Sequence, residues 1–128
     1  MMVEKGRRAV VVEDDEQMRM IIRVVLEMLR IIDIVEVGSG EEAIVALRDG
    51  AADVVVMDWM MPGVDGIDCT RIIRLGDIDG LDPDIPVVML TAVTGESAER
   101  MAREAGASAF LHKTSSIKLL YGEIKQLL

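Results

Sequence analysis

Residues 53–58, Asp53-Val54-Val55-Val56-Met57-Asp58, set four apolar side chains in an unbroken run between two carboxylates. A strand packed on one side alternates apolar and polar positions, whereas a run without alternation marks a strand covered on both faces, as in a parallel sheet. Its three valines favour extended backbone. Similar short runs occur at Ala9–Val12, Ile31–Val37, Pro86–Thr91 and Ala107–His112. Between the runs, apolar residues recur three and four apart, as one helix face requires. Met18, Ile21, Ile22, Val25, Leu26 and Leu29 fill the first interval, and Ala43, Ile44 and Leu47 the second, behind Ser39 as N-cap. Ile67, Ile72 and Ile73 mark the third. The fourth helix is Glu96–Ala105, stopped by Gly106. The fifth carries Ile117, Leu120, Tyr121, Ile124 and Leu127 from a start at Ser115 or Ser116. Five strands alternating with five helices predict an α/β fold: a doubly wound, five-stranded parallel sheet with helices on both faces.

Composition narrows the function. The 128 residues suit one domain, 1–128, and the hydrophobic share of 51% supplies a core. A lone Cys69 excludes a disulfide framework and reads as a core side chain; with one histidine, His112, it cannot build a structural zinc site. The longest apolar run, Ala43–Leu47, is far short of the roughly 20 residues a bilayer demands. A cytoplasmic protein without a membrane partner is expected. The net charge of −9 repels phosphate backbones, and Trp59, Phe110 and Tyr121 are too few to stack bases, so no direct nucleic-acid partner is expected. The acidic loop Gly76–Asp84 lacks the calcium-loop pattern: counted from Asp77, the fifth and twelfth positions are Leu81 and Val88.

Ligand sites in open α/β sheets lie beyond the carboxyl ends of the strands. There the sequence puts Glu13-Asp14-Asp15, Asp58, Thr91 and Lys113. Folding alone gains nothing from such a rim, because two carboxylates about 4 Å apart repel by about 4 kcal/mol at an effective dielectric near 20. Oxygen ligands without a neighbouring histidine or cysteine suit a hard divalent ion, Mg2+ before Ca2+. Thr91 and Lys113 offer a hydroxyl donor and a positive charge to phosphoryl oxygens, and an aspartate can be the phosphoryl-accepting nucleophile.

The acidic stretch Val11-Val12-Glu13-Asp14-Asp15-Glu16-Gln17-Met18-Arg19, the segment from Asp53 to Gly66, the strand Val87-Val88-Met89-Leu90-Thr91-Ala92 and the late His112-Lys113-Thr114-Ser115-Ser116 resemble a response-regulator receiver domain of two-component signalling, similar to the chemotaxis regulators. The resemblance spans essentially the whole chain. It implies a flavodoxin-like (βα)5 fold and a phosphorylation-activated switch, not an enzyme beyond its own phosphoryl uptake and loss. It makes Asp58 the phosphoacceptor and Glu13, Asp14, Asp58 and the backbone carbonyl of Met60 the Mg2+ ligands, with Glu13 acting through water. Thr91 becomes the switch hydroxyl, Lys113 the phosphoryl-binding lysine and Phe110 the switch aromatic. The implied partners are a sensor histidine kinase or histidine phosphotransfer protein and a downstream protein target or output domain. Self-association through the face of the fourth helix, fifth strand and fifth helix is a further expectation.

Two positions depart from the family. Thr114 follows Lys113 where proline is usual, leaving the geometry of that peptide bond open, and Phe110 stands where tyrosine is common. The resemblance places Met60 and Val93 beside the approach of water to Asp58; neither can hydrogen-bond a water, so slow loss of the phosphoryl group is expected. Trp59 is expected to be partly exposed, and His112 to be a surface residue at a strand end. No output domain is recognised in the chain. The competing readings are a phosphatase-type hydrolase with a nucleophilic aspartate and an unphosphorylated receiver-like scaffold. The first lacks the D-x-D-x-T pattern, since Met60 stands two residues after Asp58, and the intact Asp14, Asp58, Thr91 and Lys113 argue against the second.

Overall fold

The computed structural model describes residues 6–48, 50–93 and 95–128. Its elements run β1 (Arg8–Val12), α1 (Glu16–Met28), β2 (Asp33–Val37), α2 (Gly40–Leu47), β3 (Val54–Asp58), α3 (Gly66–Arg74), β4 (Val87–Thr91), α4 (Glu96–Ala105), β5 (Ala109–His112) and α5 (Ile117–Leu127). The strands form one parallel sheet in the order β2-β1-β3-β4-β5. The (βα)5 flavodoxin-like architecture expected from the sequence is therefore present.

Each face of the sheet has its own core. Val10, Val12, Val55, Met57, Val87 and Met89 point toward α2, α3 and α4, where Leu47, Ile67, Ile73 and Ala102 meet them. Their neighbours Ala9, Val11, Val54, Val56, Val88 and Leu90 point toward α1 and α5, against Ile22, Leu26, Leu120 and Ile124. Every residue of β3 and β4 is buried, which explains the missing alternation. Fully burying one such side chain contributes about 1.5–3 kcal/mol. Among the described residues, no helix is long and apolar enough to cross a membrane.

Helix starts follow side-chain chemistry. Asp15, Ser39, Asp65 and Ser116 each accept a backbone N–H from the first turn of α1, α2, α3 and α5, satisfying donors that a helix otherwise leaves orphaned. Two strands begin two residues later than expected, β3 and β4 only one. Ile31 still donates to the Leu26 carbonyl across the left-handed Arg30 (φ 63°), so β2 starts at Asp33. Ala107 donates to the Ala102 carbonyl behind left-handed Gly106 (φ 109°), so β5 starts at Ala109. In both places the turn closing a helix takes the residues first assigned to the strand.

Candidate functional site

Strand order reverses between β1 and β3, and ligands bind in the crevice outside the carboxyl ends at such a point. Glu13 and Asp14 follow β1 there, and Asp58 ends β3. One oxygen from each of the three carboxylates lies within 4.8 Å of the others. Glu13 and Asp58 are only 1% and 4% exposed, while Asp14 is exposed. The backbone holds them rigidly: the sheet ladder continues one residue past each strand, with Glu13 N–H donating to the Val37 carbonyl at 3.0 Å and Lys113 N–H to the Thr91 carbonyl at 2.9 Å.

The Lys113 ammonium sits 2.7 Å from Glu13 Oε1 and 3.2 Å from Asp58 Oδ2. Burial alone would lower its pKa, but the bond to Glu13 and the charge of Asp58 outweigh burial and raise it. Glu13 moves the other way for a carboxylate. Its burial, reinforced by the charge of Asp58 and opposed by Lys113 and the Asp15 N–H, pushes it up to about 7. Oε1 pairs with the ammonium at 2.7 Å and keeps a second lone pair for a further cation. Three carboxylates against one ammonium, a buried oxygen with unspent capacity and an all-oxygen donor set fit a hard divalent cation.

Asp15, third in the acidic run, stands outside the cluster: its side chain accepts the Gln17 N–H at 3.0 Å as the α1 cap, and its own N–H donates to Glu13 Oε2 at 3.2 Å. The Thr91 hydroxyl oxygen accepts from Val93 N–H at 2.9 Å, a bond that leaves its own proton free to donate. Phe110 is half-buried against the α2–α3–α4 side of the core. The Met60 side chain is exposed. Trp59, expected to be partly exposed, is buried instead, with its ring in the same core as Met57 and Ile67. No cis peptide bond occurs among the described residues, so Lys113–Thr114 is trans.

Several residues that shape the site escaped the sequence reading. A Cβ on Gly66 would lie 2.2 Å from the Asp58 carbonyl oxygen, so only glycine lets α3 begin against the end of β3. Glu41, at the start of α2, accepts Val64 N–H at 2.6 Å and so anchors the loop that contains Met60. The closeness of Asp58 to Gly66 in sequence hints at the first contact, whereas the second joins positions 23 apart and has no local signal.

The model of the response regulator receiver domain matches residues 9–125. The chain belongs to that family. It is 32% identical over 123 residues to the phosphate regulon transcriptional regulatory protein PhoB of Pseudomonas aeruginosa, covering 96% of this chain and 52% of PhoB. It is likewise 32% identical over 119 residues to the DNA-binding response regulator MtrA of Mycolicibacterium paratuberculosis, covering 93% of this chain and 50% of MtrA. This receiver thus spans about half the length of the curated relatives it matches. The MtrA name limits the expectation of no nucleic-acid partner to the acidic domain itself, since DNA binding is named for a longer family member. Among solved structures, the receiver domain of the histidine kinase CKI1 from Arabidopsis thaliana, complexed with Mg2+ and BeF3−, superposes with a TM-score of 0.79 at 25% identity over 96% of this chain and 90% of that one.

Proposed function

We propose that the Asp58 carboxylate accepts a phosphoryl group from the phosphohistidine of a sensor histidine kinase or histidine phosphotransfer protein, and that this switches the domain. One carboxylate oxygen attacks phosphorus, the P–N bond breaks, and its electron pair leaves on the imidazole nitrogen. The observation that carries this reading is the Lys113 ammonium held 3.2 Å from Asp58 Oδ2, beside two further carboxylates, at the point where the strand order reverses. Lys113 neutralises charge that builds on the phosphoryl oxygens, and the Thr91 hydroxyl donates to one of them. Glu13, Asp14, Asp58 and the Met60 carbonyl would hold Mg2+, which when bound supplies further positive charge to those oxygens. The binding of Mg2+ and BeF3− by the CKI1 receiver supports the assignment.

Phosphorylation adds about −1.5 to −2 charge at the rim. Thr91 and Lys113 follow that charge and, with Phe110, shift the α4–β5–α5 face, a change of population between two states. On α4 that face presents Glu96, Glu99, Arg100, Arg103 and Glu104 to a cytoplasmic protein target, an output domain or a second copy. Incubation with acetyl phosphate and Mg2+, read by intact mass, tests the acceptor: wild type gains one phosphoryl group and Asp58→Asn gains none. Equal gain by both proteins refutes Asp58 as acceptor.

A further inference from the structure

His112 closes β5 directly opposite Thr91 in the sheet and immediately before Lys113. Its ring Nδ1 lies 3.1 Å from Thr114 N and 2.6 Å from Thr114 Oγ1, and Nε2 lies 3.3 Å from the Ala92 carbonyl oxygen. One tautomer satisfies all three contacts. Thr114 N–H can only donate, so Nδ1 carries the lone pair, which the Thr114 N–H and hydroxyl share as a bifurcated pair of donors, and Nε2–H donates to the Ala92 carbonyl. A proline at 114 would have no N–H to give. The ring therefore bridges the residue after Thr91 to the residue after Lys113. The His112 carbonyl adds a bond from Ser115 N–H at 2.9 Å, one residue before the Ser116 cap of α5.

We propose that His112 is a positioning residue: its ring ties the loop after β4 to the loop after β5, so that Thr91 and Lys113 engage the phosphoryl group as one unit. This rests on the reading of Thr91 and Lys113 as its contacts. Without the ring, the hydrogen bond that still joins the two loops among the described residues is the ladder bond from Lys113 N–H to the Thr91 carbonyl. Each side chain would then find its place separately, and misplaced groups slow a reaction without weakening donor binding.

The test compares phosphorylation of the full chain by acetyl phosphate at saturating Mg2+ in wild type, His112→Ala, His112→Asn and Asp58→Asn, by intact mass over a range of donor concentration. Asparagine offers Thr114 N–H an acceptor near the position of Nδ1 and rescues that half of the bridge. For His112→Ala we expect a maximal rate lowered about five-fold, the net worth of roughly one hydrogen bond, with unchanged half-saturation by donor. His112→Asn should recover at least half of the wild-type rate. A wild-type maximal rate in His112→Ala overturns the proposal, as does an asparagine variant no faster than alanine. Long-range 1H–15N spectra supply a second check, because a neutral ring protonated on Nδ1 contradicts the bridge. If wild type acquires no more phosphoryl than Asp58→Asn, the acceptor assignment falls and takes this proposal with it, an outcome distinct from loss of the His112 effect alone.

Discussion

Glu13→Gln isolates the electrostatic cost stored in the acidic cluster. The Glu13 pKa rises from 4.5 to about 7 because burial, then the charge of Asp58, disfavour its ionised form. At about 1.4 kcal/mol per unit, holding it ionised in the fold costs about 3 kcal/mol. The sign follows from proton counting. Between pH 4.5 and about 7 the folded protein holds a proton on Glu13 that the unfolded chain has released, so this contribution is complete below pH 4.5 and disappears as pH rises through 7. Glutamine has nearly the same shape and does not titrate. In metal-free buffer with a chelator, the stability of Glu13→Gln minus that of wild type should stay flat below pH 4.5, climb by about 1.4 kcal/mol per pH unit, and level off above pH 7. The slope of the difference against pH carries no constant packing offset and no titration that is independent of Glu13. For a chain of this size the total gain corresponds to about 10 °C in Tm. Paired thermal melts between pH 4.5 and 8 measure it, and a difference that is flat or falls with pH refutes the stored cost. Mg2+ should reverse the ranking above pH 7, because ligation requires the ionised carboxylate and stabilises only a fold that can bind it.

The other predictions address the acceptor, the thiol and two glycines. On the family resemblance, Met60→Asn and Val93→Glu would put polar groups beside the route of water to Asp58 and should shorten the phosphoryl half-life; decay unchanged or slower in both refutes the expectation of a long-lived state. Burial pushes the Cys69 thiol up to about 12 from 9.0, so its stabilising neutral form is retained below pH 9 and lost as pH rises toward 12. At pH 8 a thiol reagent should label it only after denaturant is added, and rapid native labelling contradicts this. Gly122 lies inside α5, and a methyl added there would meet nothing within 4 Å, so Gly122→Ala should stabilise by about 0.5–1 kcal/mol in chemical denaturation. Gly66→Ala, by contrast, forces a methyl to 2.2 Å from the Asp58 carbonyl and should both lower Tm and slow phosphoryl uptake; a wild-type rate would show that the approach is not needed.

Residue type and period carried most of the fold. Unalternated valines fixed β3 as a central strand because burial on both faces is a property of composition, visible without coordinates. The starts of β2 and β5 were not visible in the same way, since Ile31 and Ala107 are apolar whether they belong to a strand or to the turn closing a helix. Trp59 exposes the same limit at the site. Its position beside the acceptor suggested exposure, but a residue after a strand can still turn its ring into the core. Asp15 shows how local chemistry sorts neighbours: three consecutive acidic residues read alike until the start of α1 claims one as its cap.

The distances that make the site depend on register across the sheet, which no local pattern contains. Glu13 and Lys113 are 100 positions apart in sequence yet 2.7 Å apart in space. They meet because β1 and β5 flank β3 and β4, and because each strand's ladder runs one residue beyond its last assigned pair. The charged side chains are thereby mounted on the sheet itself. A rim held this way cannot relax its repulsion by moving the backbone, so it must bring in positive charge. Lys113 supplies one unit against three carboxylates. On the proposed function, the remaining negative charge favours a cation in the site before an anionic phosphoryl group arrives. Adding that group would, on the same proposal, act through the Lys113 and Thr91 side chains and through the loops that carry them toward α4 and α5.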